Sequence, residues 1–253
     1  MPTTLEVLFT PAEFAALSHR DLSQTVCVVF DVLRATSTIV TALANGADAV
    51  IPVAEIADAI AIKKQRPEVL LAGEREGLRI RAELTGGIEF DLGNSPREFT
   101  SARVRGRTIV LSTTNGSRAL RACARAKAVL VGSFLNMRAT ADYLERHPAP
   151  NLLLICSGTA EQAAYEDVLG AGALADLLWP LCSDGQVADS ANIARQINQQ
   201  NSHNLLAAMQ HSRNGRRLLS LADLRDDVPW CLQRDLHPLV AKLEGQAIRK
   251  NGK

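Results

Sequence analysis

Aromatic side chains make up only 4% of the 253-residue chain, while Ala, Val, Leu and Ile supply most of its apolar content. That palette suits a parallel sheet covered by helices better than an all-β sandwich. Excess charge of either sign is missing too. A formal net charge of +1 gives no general attraction to nucleic acid or to an anionic membrane, so any recognition of anions must be local. The five cysteines (Cys27, Cys123, Cys156, Cys182, Cys231) are odd in number and never spaced as CxxC. Three of them, Cys27, Cys123 and Cys156, lie in apolar or helical runs, the usual place of a reduced buried thiol. The five histidines (His19, His147, His203, His211, His237) show no ligand spacing, which argues against zinc. No stretch approaches the roughly 18 uncharged apolar residues of a membrane span. The start, MPTTLEVLF, lacks a basic region followed by an apolar core. A cytoplasmic location and no membrane partner are expected. Repeats and low-complexity segments are absent, and Ser183-Asp184-Gly185 is too short a loop for a domain linker. The expectation is one domain over residues 1–253.

What is present is a steady succession of short apolar runs: Leu5–Phe9, Val26–Phe30, Ala49–Val53, Val69–Ala72, Ile109–Leu111, Ala128–Val131 and Leu152–Cys156. Such non-alternating runs read as strands buried on both faces. Helical patterns separate them. Ala35–Ala44 stops at Asn45-Gly46, and Glu55–Gln65 carries Lys63 and Lys64 in its last turn. Ser95-Pro96-Arg97-Glu98 has the spacing of a capping box, and Arg118–Lys127 follows the fifth run. Helices are expected at Glu166–Trp179, Gln186–Asn198 and Ser202–Gln210, and a short edge strand at Asp227–Leu232. The predicted fold is α/β: a mainly parallel or mixed sheet flanked by helices in three layers, with a helical C-terminal lobe.

In such sheets ligands bind outside the carboxyl ends of the strands. Five of the strand ends here are polar. Asp31 and Arg34 follow the second run; Gly73-Glu74-Arg75 follows the fourth; Ser112-Thr113-Thr114-Asn115-Gly116-Ser117 follows the fifth. Gly132, Ser133 and Asn136 follow the sixth, and Cys156-Ser157-Gly158 the seventh. Asp31 reads either as a helix cap or as a carboxylate for Mg²⁺ or proton transfer, with Arg34 as an anion clamp. Glu74 opposite Asp31 would complete a magnesium site. Glu166 and Asp167 are helix-dipole partners or further ligands. The stretch STTNGSRAL (Ser112–Leu120) is either a capped turn or a phosphate seat at a helix N-terminus.

Sharper motifs fail. Gly170-Ala-Gly172 lies inside a helical pattern, so it reads as close helix packing and not as dinucleotide binding. No GxxxxGK(S/T) occurs, and Gln162 stands where a cysteine-nucleophile loop would place arginine after Cys156. Leu33 stands where an aspartate-nucleophile loop starting at Asp31 needs its second carboxylate.

Five motifs, Asp31-Val-Leu-Arg-Ala-Thr-Ser-Thr38, Leu71-Ala-Gly-Glu-Arg75, Phe90-Asp-Leu-Gly-Asn94-Ser95-Pro96, Thr113-Thr-Asn-Gly116 and Gly132-Ser-Phe-Leu-Asn136, together resemble the 2-phosphosulfolactate phosphatase family. Cys156-Ser-Gly158, Tyr165-Glu-Asp167, Gly170-Ala-Gly172 and Cys231-Leu-Gln-Arg-Asp235 extend the likeness across nearly the whole chain. The resemblance implies a magnesium-dependent phosphatase that converts 2-phospho-3-sulfolactate to 3-sulfolactate and phosphate, a step of coenzyme M biosynthesis where that cofactor is made. Under it, Asp31, Arg34, Glu74 and Asn115 are candidate catalytic residues. Arg75, Asn94, Ser95, Thr113, Thr114, Gly116, Ser117, Ser133, Asn136, Cys156, Ser157 and Gly158 are candidate substrate contacts, and Asp31, Glu74, Glu166 and Asp167 candidate Mg²⁺ ligands. The partner is a small anionic phosphate ester, with homo-oligomers allowed. The sequence departs from the family in a longer segment, Glu76–Glu89, before the FDLGNSP motif. A related phosphatase for another hydroxy-acid or sugar phosphate, and a non-catalytic binder of an anionic metabolite, are the alternatives.

Overall fold

The run Thr25–Phe30 is buried at all six positions, as a strand covered on both faces must be. The computed structural model describes residues 4–182 and 186–252, so the loop expected at Ser183-Asp184-Gly185 lies outside the described residues. The strands are β1 (Thr4–Leu8), β2 (Thr25–Phe30), β3 (Ala49–Val53), β4 (Leu70–Arg75), β5 (Leu78–Arg79) and β6 (Thr108–Ser112). They continue as β7 (Ala128–Gly132), β8 (Asn151–Cys156), β9 (Gln186–Val187), β10 (Ala241–Glu244) and β11 (Ala247–Lys250). The α-helices are α1 (Pro11–Ala15), α2 (Ala35–Ala44), α3 (Ile56–Gln65), α4 (Ser101–Val104), α5 (Gly116–Ala122) and α6 (Met137–Arg146). After them come α7 (Tyr165–Cys182), α8 (Asp189–Asn201), α9 (Leu205–Ala208), α10 (Arg213–Ser220) and α11 (Asp227–Cys231). No helix among the described residues is long and apolar enough to cross a membrane.

All strands join one mixed sheet in the order β5-β4-β6-β3-β11-β10-β7-β2-β8-β1-β9. Its β4-β6-β3 part and its β7-β2-β8-β1-β9 part are each parallel. The antiparallel hairpin β10–β11 joins them, pairing with β7 on one side and β3 on the other. That connection makes the two parallel parts run in opposite directions. Five strand steps separate β2 from β6. At roughly 20–25° of twist per step the sheet turns by on the order of 100°, which lets the carboxyl ends of β2 and β6 converge.

Three cores fill the layers. Val26, Val28 and Phe30 on one face of β2 meet α6, α7 and α8 and the helices that follow. Cys27 and Val29 on its other face share a core with Ile109 and Leu111 of β6 and with Ile39, Val40 and Leu43 of α2. A third core puts Ala59 of α3 against Val69, Leu71 and Val110. Gly170 and Gly172 serve packing: a Cβ at Gly170 would lie 2.9 Å from the Phe30 ring, and one at Gly172 only 2.0 Å from Ala194 O.

Most departures from expectation lie in the C-terminal third. The closing hairpin was not foreseen, although Leu243 and Ile248 pair across Gly245-Gln246 in the two-residue period of a hairpin. The region expected as one helix from Gln186 begins with strand β9. Asp227–Leu232 is not an edge strand: Asp227–Cys231 is the helix α11, where Pro229 sits in the first turn and forfeits no helical hydrogen bond. Ser95 and Glu98 form no capping box either. Ser95 Oγ donates instead to Asp227 Oδ1 at 2.6 Å, a charge-assisted bond that sets its rotamer, and Glu98 Oε2 accepts from Gly93 N–H.

Candidate active site

A cavity of about 400 Å³ opens where the ends of β2, β4, β6 and β8 meet the helical lobe. Ten residues singled out in the sequence line it: Asp31, Arg34, Glu74, Arg75, Asn94, Thr114, Asn115, Gly158, Glu166 and Asp167. Four of these are carboxylates, each set by its strand or helix.

Asp31 ends β2. Its Oδ1 accepts from Ala35 N–H at 3.2 Å, and Oδ2 faces Gly116, where a Cβ would lie 2.6 Å away. Asp31 keeps partial exposure to the cavity, yet protein surrounds it, and this burial pushes its carboxyl up to about 7. The charges of Glu74 and Glu166 push the same way, while the Ala35 amide and Arg34 oppose them. Glu74 is held by three donors: Thr114 N–H and Thr114 Oγ1 on Oε1, both at 2.9 Å, and Gly77 N–H on Oε2 at 2.7 Å. Asp167, at the start of α7, accepts from Val32 N–H and Gly158 N–H and so ties the β2 and β8 ends together. Glu166 accepts from Ser212 Oγ at 2.6 Å and Asn214 Nδ2 at 3.1 Å. Burial raises the carboxyls of both Glu166 and Asp167, and for Asp167 the charges of Asp31 and Glu166 add to it.

The cations are arranged unequally. Arg34 is buried and follows a cis peptide bond at Leu33–Arg34. Its Nη1 pairs with Asp227 Oδ2 at 2.7 Å and its Nη2 donates to Gly77 O at 2.6 Å. Arg75 spends both terminal nitrogens on Glu74 O, Ser112 O, Ala54 O and Ser112 Oγ. It braces the ends of β4 and β6 more than it faces an anion.

STTNGSRAL is both cap and wall. Ser117 N–H donates to Thr113 Oγ1 and Thr114 N–H to Glu74, so two of the four amides of the turn are already engaged. The Asn115 and Gly116 amides make no hydrogen bond among the described residues. Asn94 Oδ1 and Asn115 Oδ1 are buried at the cavity with no donor among the described residues.

The other sequence candidates lie off the cavity wall. Ser95 serves Asp227, and Thr113 and Ser117 close the turn before α5. Gly116 sits where a Cβ would lie 2.6 Å from Asp31 Oδ2. Ser133 and Asn136 are fully buried in their own turn, with Asn136 Nδ2 reaching Val131 O and Leu239 O. Cys156 lies in the core, its thiol pushed well above the ordinary range by burial, so it is poorly suited to attack. Ser157 is buried beside it, and its Oγ has no partner among the described residues. No three His, Cys, Asp or Glu side chains form a ready-made metal cluster among the described residues.

A family model described as 2-phosphosulpholactate phosphatase matches residues 12–246. The chain belongs to that family. Membership makes it an enzyme, a hydrolase of phosphoric monoesters. A family relative from Caldanaerobacter subterraneus subsp. tengcongensis, named as a probable 2-phosphosulfolactate phosphatase, is 37% identical over 244 residues, covering 96% of this chain and 97% of that one. A relative of the same name from Pseudothermotoga lettingae is 37% identical over 237 residues, 93% of this chain and 94% of its own. One from Caldicellulosiruptor saccharolyticus is 32% identical over 250 residues, 96% of this chain and 99% of its own.

Within the family fold, sequence reasoning missed the residues supplied by the helical lobe: Ser212, Asn214, Arg217 and Asp227. A signal was available in the polar run Ser212-Arg-Asn-Gly-Arg-Arg217, whose serine is the N-cap of α10 and accepts from Gly215 N–H.

Proposed function

We propose that this chain hydrolyses 2-phospho-3-sulfolactate to 3-sulfolactate and phosphate in the cavity built on Asp31 and Glu74, acting as one domain in the cytoplasm and with Mg²⁺. The observation that carries this reading is the convergence of four carboxylates and two unpaired amide oxygens on one cavity. Arg34, Arg75 and Arg217 line the same wall, and a metal cation between the carboxylates and a polyanionic ester would offset the repulsion that remains. The donor set is all hard oxygen, which suits Mg²⁺. That ion commonly binds through one or two carboxylates, water and substrate phosphate, so it does not need a ready-made cluster of three. Asp31 and Glu74 would hold it, with Glu166 or Asp167 nearby. Mg²⁺ supplies charge neutralisation at the phosphoryl oxygens and activation of water.

The chain's own groups do the rest. The Asn115 amide, on the cavity wall, is available for a phosphoryl oxygen. Arg34, fixed by Asp227 and Gly77, presents a cation that cannot swing away. A carboxylate of this set that Mg²⁺ leaves free can take the proton of the attacking water. Where coenzyme M is made, the sulfolactate product would feed its synthesis. The five unpaired, buried thiols fit a reducing compartment.

Phosphate release from a panel of 2-phospho-3-sulfolactate, 2-phospholactate, phosphoglycerates and sugar phosphates, with Mg²⁺ and after chelation, tests the reading. Preferential release from the sulfonated ester that stops on chelation is expected. A preference for another ester would reassign the substrate, and turnover indifferent to chelation would remove the metal.

A further inference from the structure

We propose that Arg217, on α10, selects the sulfonate end of the substrate; the inference rests on the function proposed above. The cavity arginines differ in how they spend their donors. A guanidinium has five N–H groups. Arg75 directs four contacts from its two terminal nitrogens at neutral oxygens of β4, β6 and Ala54. Arg34 has its charge matched by buried Asp227. Arg217 lines the same cavity, has no acidic partner among the described residues, and makes one hydrogen bond, from Nη2 to Glu76 O. It is the cavity cation with both charge and donors to spare.

Its placement fits a second anion better than the reacting one. Glu76 and Gly77 form a two-residue hairpin loop between β4 and β5, with φ of 53° and 80°, the positive pair that a type I′ turn requires. One peptide unit in that loop links two groups of opposite charge. Its carbonyl, from Glu76, accepts from Arg217, and its N–H, from Gly77, donates to Glu74 Oε2 at 2.7 Å. The guanidinium is therefore held one peptide unit away from a carboxylate of the phosphoryl side. In a three-carbon acid with phosphate on the middle carbon, the carboxylate and the sulfonate on its two neighbours both lie on that scale, so the chemistry of the two groups decides between them. A sulfonate is a permanent monoanion whose oxygens accept hydrogen bonds weakly, so it calls for an unpaired cation and not for neutral donors. Arg217 supplies one at the cavity mouth, where an exposed side chain can exchange a peptide carbonyl for a charged oxygen.

The test compares wild type with Arg217→Gln and Arg217→Lys on 2-phospho-3-sulfolactate and on 2-phospholactate, which lacks the sulfonate. The ratio of kcat/KM for the sulfonated over the unsulfonated ester should fall about 10–100-fold in Arg217→Gln, mainly through KM, and less in Arg217→Lys. An unchanged ratio, whether both activities fall together or neither does, overturns the assignment. Calorimetric titration with 3-sulfolactate separates this claim from the hydrolytic one. If wild type binds 3-sulfolactate at least tenfold more tightly than Arg217→Gln, Arg217 keeps its role even if no ester is hydrolysed. Equal affinity, or no binding by either protein, removes it.

Discussion

Arg34 and Asp227, 193 positions apart in sequence, pair at 2.7 Å with side chains only 3% and 0% exposed. Asp227 also accepts from Ser95 Oγ and from Arg97 Nε, so one carboxylate from α11 fixes the loops after β2 and before α4. Removing it leaves a buried guanidinium uncompensated. Asp227→Ala should cost about 3–5 kcal/mol in denaturant unfolding, while Arg97→Ala, at a half-exposed position, should cost about 1 kcal/mol or less. Equal costs would show that the Arg34 pair is not what the lobe relies on.

The raised proton affinity of Asp31 has a definite sign in stability. The carboxyl stands at about 7 in the folded chain against an ordinary value of 3.8. Folding therefore favours the protonated form. The stability it contributes is complete below about pH 4 and is lost as pH rises through about 7. Glu166 and Asp167 shift in the same direction. The melting midpoint of metal-free protein should fall between pH 5 and pH 8, and Asp31→Asn should flatten that slope. Adding Mg²⁺ should raise the midpoint most at the alkaline end. A metal-free midpoint that climbs over this range would contradict the burial of these carboxylates.

Gly116 leaves no room for a side chain. A Cβ there would stand 2.6 Å from Asp31 Oδ2 and 2.8 Å from Ala35 Cβ, so Gly116→Ala must displace either the carboxylate or the start of α5. Turnover should drop about 100-fold, with the fold retained by circular dichroism. Full activity in this variant would mean that the position of Asp31 does not matter.

Cys156 should be chemically silent. Its thiol is buried in the core and held protonated, away from the cavity wall. Cys156→Ala should keep turnover and lose about 1 kcal/mol of packing. Iodoacetamide should leave native protein active. Loss of activity in a folded Cys156→Ala protein would return the thiol to the reaction.

Much of the fold was legible because buried strands announce themselves. The run Thr25–Phe30 and its parallel neighbours are continuous apolar segments, and they recur as β1, β3, β6, β7 and β8. The strand-end rule also brought Asp31, Glu74, Thr114 and Gly158 together before their contacts were known. The hairpin β10–β11 was harder to read, because Lys242, Glu244, Arg249 and Lys250 dilute its apolar alternation to Leu243 and Ile248. Its role in joining the two parallel parts is a long-range fact. Pro229 misled for a local reason: proline is as much at home in a first helical turn as on a sheet edge. The lobe residues Asn214, Arg217 and Asp227 lie far along the chain from the strand ends, and only tertiary packing brings them to the cavity. Ser133 and Asn136 show the converse. They follow a strand like the others, but their side chains satisfy one another inside the turn.

The central claim is that the carboxylate at the end of β2 takes part in phosphoester hydrolysis. Phosphate release from 2-phospho-3-sulfolactate by Asp31→Asn, beside wild type at saturating Mg²⁺ and with melting curves run on both, tests it most directly. A fall of about 100–10,000-fold is expected, in a variant that melts no earlier than wild type. Undiminished turnover in a folded Asp31→Asn protein would contradict it.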